Sequence, residues 1–66
     1  MSGRDDDATR EIYFEFTTLG RSVKVSAIDA ATGLEVSIVG PATASKADLE
    51  RLALQKLLAR LKAGSG

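Results

Sequence analysis

The chain has no cysteine and no histidine. Without cysteine there is no disulfide, and without either residue every Cys/His metal site is excluded. The commonest nucleophile and general-base types are missing as well, which leaves enzyme chemistry poorly supplied. There is no excess of charge: nine basic residues balance nine acidic ones. Proteins that live on phosphate backbones usually carry a basic surplus. No stretch approaches the roughly 20 apolar residues that span a bilayer, and no apolar signal segment is visible near Met1. The expected setting is cytoplasmic, away from membranes, and cysteine-free composition is compatible with it. With 66 residues the chain is expected to form one domain, close to the size at which a core struggles to hold alone. With the usual staples excluded, an efficient core or a partner chain must do that work.

What the chain does contain is alternation. Val23 to Val39 reads VKVSAIDAATGLEVSIV, two alternating runs joined by a turn. In the first strand, Arg10 to Thr18, Ile12, Phe14 and Phe16 alternate with Tyr13, Glu15 and Thr17. A loop at Leu19-Gly20 then predicts a second strand, Arg21 to Asp29. That loop pairs Phe16 with Val23, Phe14 with Val25, Ile12 with Ala27, and Glu15 with Lys24. Asp29 and Gly33 fit a four-residue turn over Ala30 to Gly33. It pairs Ala27 with Val36 and Val25 with Ile38, so the third strand is Leu34 to Val39. Gly40-Pro41 ends it, since proline donates nothing to a ladder.

Ser45 offers a helix N-cap with Asp48 three residues on. The helix is predicted over Lys46 to Ala63, acids early and bases late, with Gly64 as its C′ residue. The expected fold is α+β: a three-stranded antiparallel β-meander followed by one C-terminal α-helix packed on one sheet face. Residues 1–9, with Asp5-Asp6-Asp7, read as a disordered acidic arm, 10–63 as the single β-β-β-α domain, and 64–66 as a flexible tail. The expected core is Phe14, Phe16, Val25, Val36, Ile38 and Leu57.

This run resembles a family of short uncharacterised alphaproteobacterial proteins, a domain of unknown function of about 60 residues. The residues that carry the resemblance are the aromatic first strand (Tyr13, Phe14, Phe16), Val23 to Asp29 with Ala31-Thr32-Gly33, Glu35 to Pro41, and Ala47 to Leu57. The resemblance implies a stand-alone small bacterial protein. It brings no activity, substrate or catalytic residue.

No constellation of chemistry-bearing residues emerges. Glu11 and Glu15 are four apart in a strand, roughly 13 Å, too far for an ordinary carboxylate pair. Three adjacent aspartates do not make a preformed calcium loop. Gly33 and Gly40 lack the lysine and hydroxyl that a phosphate loop needs. The outer sheet face would carry Glu15, Glu35 and Lys24, giving no positive field for DNA. No catalytic, metal or cofactor residue is assigned. The helix is more informative: Leu49, Leu52, Leu54, Leu57, Leu58 and Leu61 cover an arc wider than one sheet face needs. Tyr13, Ile28 and Val39 add apolar surface on the open sheet face.

The expectation is therefore a non-catalytic protein-interaction module, homodimeric or bound to another protein. Leu52, Leu54, Leu58, Tyr13, Ile28 and Val39 are its candidate interface residues. The alternative is a nucleic-acid-associated regulator using Lys56 and Arg60, which are four apart on one helix flank.

Overall fold

The structure, a computed structural model, describes residues 10–65, with Ser65 as backbone only. The expected acidic arm lies outside the described residues. Strands β1 (Ile12–Leu19), β2 (Ser22–Asp29) and β3 (Glu35–Pro41) form one antiparallel sheet in the order β1-β2-β3, and helix α1 (Lys46–Ser65) follows. The architecture is the expected α+β meander with a helix against the sheet.

The first hairpin differs from the sequence reading in register. Leu19 pairs with Ser22, so the two-residue loop is Gly20-Arg21. Gly20 alone in that loop has positive φ, 61°, the pattern of a type II′ turn with glycine first. Phe16 therefore faces Val25, Phe14 faces Ala27, Ile12 faces Asp29, and Lys24 faces Thr17 rather than Glu15. Moving the loop one residue shifts the pairing by two. Side chains alternate with period two, so every residue keeps its expected face while changing its partner.

The second hairpin has the expected register, with Ala27 opposite Val36 and Val25 opposite Ile38. Gly33 supplies the left-handed residue, φ 78°, and its N–H donates to the Asp29 carbonyl at 2.8 Å. The Asp29 carboxylate accepts from the Thr32 hydroxyl at 2.7 Å and the Thr32 N–H at 3.2 Å.

Ser45 caps the helix as expected, its Oγ accepting from the Asp48 N–H at 3.2 Å; such a cap contributes about 1 kcal/mol. The far end differs. The helix continues through Gly64 to Ser65, and Gly64 does not adopt the left-handed C′ conformation.

Val25, Ala27, Val36, Leu49, Ala53 and Leu57 form the buried core. Gly40 lets α1 come close: a Cβ there would sit 2.5 Å from a Leu49 methyl. The helix rests on β2 and β3. That placement corrects the expected core, because Phe14, Phe16 and Ile38 are only partly buried. The two phenylalanines belong to β1, the strand the helix leaves largely uncovered. Lys46 offers Phe16 partial cover, its Nζ 4.9 Å from the ring centroid, a cation–π contact worth about 0.5–1 kcal/mol when exposed.

Candidate interaction surface

Antiparallel strands alternate between residues whose backbone groups point to the neighbour and residues whose groups point away. The Glu11 carbonyl accepts from the Ala30 N–H at 3.0 Å. The odd residues of β1 therefore bond to β2, and Ile12, Phe14, Phe16 and Thr18 direct N–H and C=O to the free edge. The Ile12, Phe14 and Phe16 side chains share the helix face, so the β1 edge joins backbone groups unpaired among the described residues to partly buried apolar side chains.

The β3 edge is built differently. Asp29 N–H donates to the Leu34 carbonyl at 2.9 Å, which places Leu34, Val36, Ile38 and Gly40 toward β2 and Glu35, Ser37, Val39 and Pro41 outward. Lys56 reaches over from the helix and donates to the outward Ser37 carbonyl at 2.8 Å. Pro41 has no N–H to leave open at its outward position. These are two standard ways of closing an edge.

Beside β1 lies an open groove of about 850 Å³ between Ile12 and the helix residues Leu54, Leu58 and Leu61, with polar atoms from Arg10, Thr32 and Lys62. Leu58 is 44% exposed. The start of β1 is fastened next to it: the Arg10 guanidinium lies 3.1 Å from Oδ1 of the fully buried Asp29. This contact is an ion pair rather than an aligned hydrogen bond, since that oxygen has no hydrogen-bond partner among the described residues. The Thr32 hydroxyl chiefly holds the Asp29 carboxyl below its usual range; burial opposes this, and Arg10 reinforces it.

The expected interface residues fall on separate surfaces. Leu54 and Leu58 line the groove. Leu52, 52% exposed, lies about 120° away round the helix from Leu58. Tyr13 and Ile28 are cross-strand partners on the outer sheet face, and Val39 faces Lys24 there. Ser26 and Ser37 hydrogen-bond at 2.9 Å in the middle of that face, and the Tyr13 hydroxyl donates to Glu11 at 3.3 Å. Lys56 and Arg60 share a helix flank but have different surroundings. Lys56 serves the β3 edge, while Arg60 lines a shallow hollow with Leu34 and Leu61. Sequence reasoning missed Ile12 as a groove residue and Lys56 as an edge guard. A basic residue flanking the apolar helix stripe was the available signal for the latter. Among the described residues no acidic group of three or more is placed to hold a metal ion, and no helix is long and apolar enough to cross a membrane.

The fold and this surface define a small β-β-β-α module with, among the described residues, one strand edge left open beside an apolar groove. The chain belongs to a family described as a domain of unknown function, DUF6898, whose family model matches residues 9–64. No match was found among the curated proteins or the solved structures.

Proposed function

We propose that the protein is a non-catalytic self-association module, a homodimer that uses the β1 side of the molecule. The observation that carries this reading is the groove, where Ile12, Leu54, Leu58 and Leu61 present one apolar surface next to a strand edge that is unpaired among the described residues. Fully burying an exposed side chain of this size contributes about 1.5–3 kcal/mol. Ile12, Leu54 and Leu61 are already partly buried and Leu58 is 44% exposed, so each adds a fraction of that before association costs. Two-fold symmetry doubles each contact. The small core supports the same reading, since association adds buried surface to a domain near the lower size limit. An alphaproteobacterial source belongs to the proposal through the sequence resemblance, and a cytoplasmic setting through the composition.

Sedimentation equilibrium over a wide concentration range tests it. The wild type should be dimeric at micromolar concentration. Leu58→Glu should shift the equilibrium toward monomer by at least tenfold, with an unchanged circular dichroism spectrum because Leu58 is already half exposed. A wild-type monomer at every concentration would overturn the reading, and salt-dependent retention on DNA by that monomer would put the nucleic-acid reading in its place.

A further inference from the structure

We propose that the open edge of β1 pairs antiparallel with β1 of a second copy of this chain, about a two-fold axis through Phe14, so that two three-stranded sheets become one sheet of six strands. The inference rests on the self-association reading and adds the edge, the register and the side chain that fills the groove.

The choice of edge follows from how the two borders are finished. Ser37 on β3 has its carbonyl taken by Lys56, and Pro41 offers no donor. The outward groups of Ile12, Phe14, Phe16 and Thr18 on β1 meet no such device among the described residues. The choice of occupant follows from what self-pairing does with charge. Only even residues of β1 point outward, so the registers open to two copies differ in steps of two residues. With the axis on Phe14, Ile12 stands opposite the partner's Phe16, and Phe14 opposite the partner's Phe14. On the outer face, Tyr13 meets the partner's Glu15 and Glu11 meets the partner's Thr17. All three inward apolar residues find apolar mates, and no like charges meet. An axis on Glu15 sets that carboxylate against its own copy. An axis on Tyr13 sets Glu15 against the partner's Glu11. Directly opposed like charges destabilise a strand pair. An axis on Phe16 leaves Phe14 opposite the partner's Thr18, and an axis on Ile12 leaves Phe14 opposite the partner's Arg10. One register satisfies both the apolar and the charged residues.

The same register completes the groove. Ile12 lies in it with Leu54 and Leu58, and the residue that arrives beside Ile12 is the partner's Phe16. The two β2 strands then lie three strand spacings apart, about 14 Å. The helices, seated over β2 and β3, are too far apart for the 8–10 Å of direct helix packing. Leu54 and Leu58 therefore meet the partner's β1 side chains rather than the partner's helix.

The cysteine-free sequence makes the test clean. Tyr13→Cys and Glu15→Cys alter exposed outer-face positions, so the fold should tolerate both. In the proposed register these two positions are directly opposed across the interface in a non-hydrogen-bonded pair, about 4.5 Å between Cα atoms, within disulfide reach. Identical positions are diagonal, about 7–8 Å apart. Mild oxidation of a mixture of the two variants should give a covalent dimer at least fivefold faster than either variant alone. Faster cross-linking of Glu15→Cys alone, or of Tyr13→Cys alone, would overturn the register. Equal or absent cross-linking, with a wild-type dimer still seen by sedimentation, would overturn edge pairing and leave self-association standing. A monomeric wild type would remove both.

Discussion

β1 and β3 occupy equivalent places in the sheet, one at each border, yet the chain treats them in opposite ways. β3 lies under the helix, contributes Val36 to the buried core, and has its edge closed by Lys56 and Pro41. β1 carries the heaviest apolar side chains of the sheet, Phe14 and Phe16, and leaves them only partly buried, on the strand whose Ile12 lines a groove. A free edge is a hazard that soluble proteins normally blunt. Among the described residues one edge is blunted and the other is not, and the phenylalanines lie on the latter, which supports the proposed pairing.

The largest effect should separate the covered half from the uncovered one. Leu57 is fully buried between the helix and β2–β3, and Leu57→Ala should cost about 2–5 kcal/mol at any protein concentration. Phe14→Ala, at a partly buried site, should cost about 2 kcal/mol in dilute solution. On the proposed self-association its cost should grow as concentration rises, because association would stabilise the wild type and not the variant. Urea denaturation at two widely separated concentrations checks this. Equal, concentration-independent losses for the two variants would erase the distinction between the halves.

A second effect concerns how β1 stays in place with so little helix over it. Its start is tied down through Arg10 to Asp29, itself held by Thr32. The folded Asp29 carboxyl titrates below its usual value of 3.8, so the folded state favours the ionised form. The stability this contributes is fully present above about pH 4 and is lost as pH falls through the lowered folded value. Asp29→Asn should therefore be less stable than the wild type at pH 7, and the gap should close toward pH 2. Urea midpoints at pH 7, 4 and 2 read this directly; a constant gap would mean that Asp29 acts through packing alone.

Much of this was legible in the residues. The alternation of Ile12, Phe14 and Phe16 set the faces of β1, Asp29 and Gly33 set the second hairpin, and Ser45 marked the helix start. The β1–β2 register was not legible. A loop at Leu19-Gly20 and one at Gly20-Arg21 give the same faces, and a two-residue shift leaves the apolar pattern intact. The choice lies in the backbone sign of Gly20, which the pattern does not encode. The exposure of Phe14 and Phe16 was hidden for a different reason. A helix of this length covers two strands or three depending on where its axis lies, and only the contacts of Leu49, Ala53 and Leu57 fix that. The over-wide leucine arc was the one visible trace, since Leu52 and Leu58 stay exposed and Leu54 only partly buried once the helix sits on β2 and β3.

The smallest effect on stability should be the most telling about the edges. Lys56→Ala removes an exposed bond to the Ser37 carbonyl and should change folding stability by no more than about 0.5 kcal/mol. Combined with Pro41→Val, it restores an outward acceptor and an outward donor to β3. A dimer joined through β1 would then carry an open β3 border at each end. Two different self-complementary edges on one chain generate open-ended assembly rather than a closed pair. Light scattering should show the double variant growing beyond the dimer as concentration rises, while each single variant grows less and the wild type stops at two chains. If the double variant also stops at two, Lys56 and Pro41 are not what closes β3, and the contrast between the edges must come from the strand's own twist.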